Sequence, residues 1–178
     1  MKRLIVATFV IFSVLMDIPV FAFSFRGLTL DTPIDKQMKI CEQESKELCY
    51  LKLDNDEYKI LNLPELSIKT ETVIYVYGDD NKIGLIKVTF NGKDADKFFS
   101  LLLDKYGPPK TVRGKIPKRI ILNRKTGKKI VIQSPTWSLD DCYMVLNDID
   151  EMNLDNGKLI IGSKKIIKVI HKKKLNTV

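Results

Sequence analysis

The chain has 178 residues, with 30 Lys and Arg against 22 Asp and Glu, a formal net charge of +8 and 44% hydrophobic residues. That balance suits a folded chain with a real core and excludes a largely disordered or acidic one. One histidine and three cysteines make a poor inventory for a zinc site or a hydrolase triad.

Met1-Lys2-Arg3 is a short basic segment, and the apolar run Leu4 to Met16 follows it. Val20 and Ala22 then occupy the −3 and −1 positions of a small-residue cleavage site. Residues 1–22 therefore read as a secretory signal peptide, with a mature start at Phe23. The apolar run is short against the roughly 20 residues that span a bilayer, and Asp17 and Pro19 interrupt it. The rival reading is an uncleaved N-terminal membrane anchor reaching Phe25. Residues 23–178 are expected to form a single exported domain, periplasmic or secreted. Its basic excess falls by only one when Lys2, Arg3 and Asp17 are removed.

Cysteines in an exported chain point to disulfides. Cys41 and Cys49 are the closest pair in sequence. In one continuous helix their Cα atoms would lie about 12 Å apart, too far for a bridge that reaches roughly 7 Å. A Cys41–Cys49 disulfide therefore predicts a helix break between Glu42 and Leu48. Cys142 is left as a buried free thiol.

Taken in order, Phe23 to Leu30 is an extended entry with a turn at Gly27. Thr32-Pro33-Ile34-Asp35 reads as a helix start, with Ile34, Met38 and Cys41 as the apolar stripe. Strand-like segments follow at Cys49 to Leu53 and Tyr58 to Leu63. The clearest hairpin pairs Val73–Tyr77 with Ile83–Phe90 around Gly78-Asp79-Asp80-Asn81-Lys82. Alternation puts Val73, Tyr75 and Tyr77 on one face of their strand, and Ile86, Val88 and Phe90 together on one face of theirs.

Asp94 to Pro109 is the most legible element. Asp94 is the expected N-cap. Ala95, Phe98, Phe99, Leu102, Leu103 and Tyr106 recur at helical spacing, while Gly107 and the two prolines stop the helix. Strands return at Arg119–Asn123 and Lys129–Gln133, then at Tyr143–Leu146. Asp155-Asn156-Gly157 is a hairpin signal leading into Lys158–Ser163. The stretch from Lys164 to Lys174 reads as a final strand or a short helix.

Short connections between the strands argue against a parallel α/β sheet. The expected fold is α+β, an antiparallel meander sheet packed by two helices. The same order of elements in 27–92 and 93–171 reads as two helix-then-meander repeats. This order, with the segment LLLDKYGPP that carries Leu102, Lys105, Tyr106, Gly107 and Pro109, resembles small exported bacterial helix-then-meander proteins. Among these are the beta-lactamase inhibitor protein family and the small lipoproteins of the outer-membrane assembly machinery. The resemblance implies protein binding and no specific site residues. The chain departs from the lipoprotein pattern in lacking a cysteine near the cleavage site.

No chemistry stands out. His171 sits between Ile170 and Lys172 without an acidic neighbour, and no phosphate-binding glycine motif is present. Asp148, Asp150 and Asp155 fail the calcium-loop spacing, because Met152 takes the fifth position. No cofactor is expected and the chain reads as a non-enzyme, with a hydrolase built from carboxylates distant in sequence as the competing case.

Two basic segments can carry binding to anions. Arg119, Arg124, Lys125, Lys128 and Lys129 lie in a twenty-residue stretch without acidic residues. Lys164, Lys165 and Lys168 flank aliphatic residues in the tail. Sparse aromatic residues in both argue against nucleic acid. The expected function is a non-catalytic exported binding protein: an inhibitor, an immunity-type factor or an envelope accessory whose partner is another envelope or secreted protein. The competing reading is a peripheral protein that binds anionic lipid or lipopolysaccharide through the basic hairpin and tail.

Overall fold

The computed structural model describes residues 23–42, 45–54, 56–64, 66–122 and 127–166. The signal segment, Arg124, Lys125, Lys168 and His171 lie outside these.

The fold is sheet-rich α+β. Strands β1 (Ser24–Phe25) and β2 (Leu28–Thr29) form a small hairpin. Its two turn residues, Arg26 and Gly27, have φ of 53° and 86°, the left-handed backbone that two-residue hairpins need. The main sheet has eight strands in the order β10-β11-β12-β7-β6-β5-β4-β3. They are β3 (Lys39–Ile40), β4 (Cys49–Asp54), β5 (Glu57–Leu61), β6 (Thr70–Tyr77), β7 (Lys82–Asn91), β10 (Thr136–Ser138), β11 (Cys142–Asn147) and β12 (Asn156–Ser163). Neighbours are antiparallel except β3 and β4, which run parallel. Strands β7 and β12 pair in the interior of the sheet. Strands β8 (Lys118–Leu122) and β9 (Lys129–Gln133) make a separate two-stranded ribbon.

Of the two expected helices, the second forms and the first does not; residues 164–166 are also helical. The segment after Thr32 makes only a single 3-10 turn, Ile34–Lys36, before extending into β3. Tertiary contacts decide this. The Gln37 amide bonds the backbone of Thr29 on both sides, and the Cys41 N–H donates to the Tyr50 carbonyl as the chain joins the sheet edge. That extension places Cys41 and Cys49 4.9 Å apart at Cα, and they form the expected disulfide. Cys142 is free and buried, as expected.

Helix α1 runs Ala95–Tyr106. Asp94 makes no side-chain cap. The entry is a 3-10 turn, Gly92–Asp94, closed by the Asn91 side chain, which accepts from the Lys93 N–H. Ala95, Phe98 and Leu102 are buried, Phe99 and Tyr106 pack partly against the core, and Leu103 points outward. The helix stops where expected. Gly107 has φ 73° and its N–H bonds the Leu103 carbonyl.

The core lies between α1 and one face of the sheet. Ile74, Ile86, Val88, Leu159, Ile161 and Met144 project from that face and are fully buried. The Phe98 ring stacks on Phe90 with centroids 4.5 Å apart. A Cβ at Gly157 would run into the Phe90 ring, so a glycine lets that ring lie over β12. Phe25, Leu28, Leu30 and Ile34 from the N-terminal segment close the same layer. Trp137 ties the helix exit down: its indole N–H donates to the Gly107 carbonyl at 2.8 Å.

Candidate interaction surfaces

One face of the sheet is covered by α1 and the N-terminal segment. The period of two then obliges every second residue to project from the opposite face. Register aligns these residues in rows. One row runs Val145, Ile160, Lys87, Val73, Lys59, Leu51 across β11, β12, β7, β6, β5 and β4. A second runs Tyr143, Gly162, Leu85, Tyr75, Glu57. Val145, Ile160, Val73, Leu85 and Tyr75 are half-buried, while Leu51 and Tyr143 are exposed. Polar groups between them pair within the face: Lys59 with Glu71 at 2.8 Å, and the Tyr75 hydroxyl with Glu57 at 3.1 Å. Burial first, and then the Glu57 hydrogen bond, raise the Tyr75 pKa, which keeps this phenol a neutral donor. The result is a broad face of aliphatic side chains and two tyrosines, interspersed with Lys87, Lys59, Glu57 and Glu71. Tyrosine is enriched in protein interfaces.

This face was only partly legible in the sequence. Val73-Ile74-Tyr75-Val76-Tyr77 is apolar at both parities, a pattern that gives both faces of a strand apolar side chains. Alternation alone did not say which parity the helix would cover.

The predicted anion-binding residues fall in two places. Arg119 and Lys129 belong to the β8–β9 ribbon, and Lys128 precedes β9. The Arg119 guanidinium is engaged by the Glu151 carboxylate. Lys164 and Lys165 follow β12. The Lys164 ammonium stands 5.0 Å from the Tyr143 ring centroid, and Lys165 approaches the Asp31 carboxylate at 3.5 Å. The two groups sit at opposite ends of β11. The Gln133 N–H bonds Asp148 beyond one end, and the Lys164 N–H bonds the Asp141 carbonyl before the other. About 17 Å of strand separates these two contacts.

Two polar clusters hold the fold together. Asp31, at φ 59°, accepts from the Tyr77 hydroxyl at 2.5 Å and from Ser163 at 2.9 Å. It thereby fixes the N-terminal segment against β7, where its own N–H bonds the Ile83 carbonyl. Asp150 is buried and accepts from Lys158 at 2.8 Å and from the Met152 N–H at 3.1 Å. Burial opposes its ionisation, but these hydrogen bonds and the charges of Lys158 and Lys87 prevail and lower its pKa.

A hollow of about 660 Å³ opens under the β5–β6 connection between Arg26, Leu63, Leu66 and Thr72. The Arg26 guanidinium at its mouth is already bonded to the Pro64 carbonyl and the Thr70 hydroxyl. Among the described residues, no three His, Cys, Asp or Glu side chains are grouped to hold a metal ion. The Cys142 thiol is pushed up to about 12 by burial, so it is neither thiolate nor nucleophile at neutral pH. No helix of the described residues is long and apolar enough to cross a membrane. The chain matches no family model, no curated protein and no solved structure.

Proposed function

We propose that this chain is an exported binding protein without catalysis of its own. It engages another envelope or secreted protein through the open face of its sheet, as an inhibitor, immunity-type factor or assembly accessory does. The observation that carries this reading is the pair of cross-strand rows around Val73, Tyr75, Ile160 and Tyr143, left uncovered by the helix. The Cys41–Cys49 disulfide is consistent with an oxidising compartment reached after cleavage near Ala22. The resemblance to helix-then-meander inhibitor and accessory proteins supports the same reading.

The test compares the wild-type protein with Tyr143→Asp as bait on a solubilised cell envelope. Tyr143 is exposed, so the aspartate leaves the core intact. A discrete partner retained by the wild type in high salt and lost with Tyr143→Asp is the expected result. Equal retention by both would remove the open face from consideration.

A further inference from the structure

We propose that the outward face of the β8–β9 ribbon is a docking surface for an anionic phospholipid bilayer, separate from the open face of the main sheet. The register pairs Lys118 with Gln133, Ile120 with Val131, and Leu122 with Lys129. All six side chains share one face, because the pairs are two residues apart. The other face anchors the ribbon: Ile132 is fully buried and Arg119 holds Glu151.

The outward face is unusual for a soluble hairpin. Ile120 is 65% exposed, Leu122 61% and Val131 48%. Lysines protecting a free edge would account for the charge, but not for three aliphatic side chains held out in water between them. A flat aliphatic patch bordered by lysines fits the boundary of a bilayer. There the apolar groups enter the acyl region and the lysine stems reach back to the phosphates.

Charge complementarity selects the anionic bilayer as occupant. From Lys110 to Lys129 the sequence has nine basic residues and no acidic one. The tight turn leading into the ribbon adds exposed Val112, Arg113 and Lys115, closed by reciprocal Val112–Lys115 backbone bonds. The ribbon has no aromatic residue, so it lacks the anchors typical of a protein interface. Its aliphatic and cationic groups are those that a phospholipid surface rewards.

The experiment is co-sedimentation of the mature protein with phosphatidylcholine vesicles, with and without phosphatidylglycerol. Uptake is expected only with phosphatidylglycerol and should weaken as salt is raised. Lys118→Gln/Lys129→Gln should lower partitioning by about fivefold per lost charge, roughly twenty-fivefold together. Ile120→Ser/Val131→Ser should lower it about tenfold while leaving the salt dependence in place. Ile120→Trp adds a direct readout, since its emission should shift to the blue on binding while the buried Trp137 does not move. Equal uptake by both vesicle types would overturn the proposal, as would wild-type binding by both double variants, which would assign the membrane contact to the tail. Unshifted emission from Ile120→Trp in sedimented protein would overturn it as well.

Discussion

Reducing the Cys41–Cys49 disulfide is expected to destabilise the domain by about 2 kcal/mol. The cysteines are 8 residues apart in sequence. Closing so short a loop removes roughly 8 cal/mol/K from the unfolded chain, or about 2.5 kcal/mol at 25 °C. The folded side gives a little back. Strand β3 contributes only Lys39 and Ile40 to the sheet, both exposed, so the reduced segment can loosen while the rest stays folded. The measurement is urea unfolding with and without a phosphine reductant, followed by the fluorescence of the single, buried tryptophan. The urea midpoint should fall, and in a parallel thermal melt the melting temperature should fall by about 4–8 °C, at 2–4 °C for each kcal/mol in a domain of this size. An unchanged midpoint in protein shown to carry three free thiols would refute the reasoning, since the loop would then not constrain the unfolded state.

Other outcomes follow from the same contacts. A native, non-reduced sample should give no rapid thiol reaction because Cys142 is buried with its pKa pushed up to about 12, and one thiol after denaturation; an immediate signal from the native protein would contradict its burial. Asp150 has a lowered pKa in the folded state, so its contribution is complete above the unfolded value of about 3.9 and lost as pH falls through the folded one. Asp150→Asn should therefore flatten the loss of stability below about pH 4, and an unaltered acid limb would count against the Lys158 pair. Trp137→Phe leaves the Gly107 carbonyl without its indole donor and should cost about 1–3 kcal/mol in urea unfolding; a neutral result would mean that water replaces the bond.

The sequence was most informative where a local rule and a packing rule agreed. The exit of α1 at Gly107 needed only left-handed backbone and two prolines, and the ladder of β6 on β7 needed only alternation around a turn. The start of α1 was read less well, because Asn91 and Asp94 are both capable caps and the 3-10 turn ahead of the helix selects Asn91. The segment Ile34–Cys41 has a helical stripe and an apt first turn, yet pairing with β4 and the Gln37 amide bonds override that local preference. The disulfide was legible from the spacing of its cysteines, but the break it required was expected between Glu42 and Leu48, whereas the chain is already extended at Lys39–Ile40.

The binding surfaces were harder to read. Lys129 and Lys164 were visible as charge, but their positions at opposite ends of β11 depend on the pairing of distant strands. Tyr143 and Tyr75 carried no signal of their own beyond strand alternation. Only the register of three intervening pairings brings them to one face, and among the described residues α1 covers the other.

The central claim is that this open face receives a protein partner. A photo-reactive amino acid placed in turn at Tyr143, Leu51 and Val73 on the open face, and at Asp96 and Leu101 on the outer side of α1, tests it most directly in the native envelope. The account predicts one shared cross-linked species from the three sheet positions and none from the helix. The same species from Asp96 and Leu101, with silence from Tyr143, would contradict it.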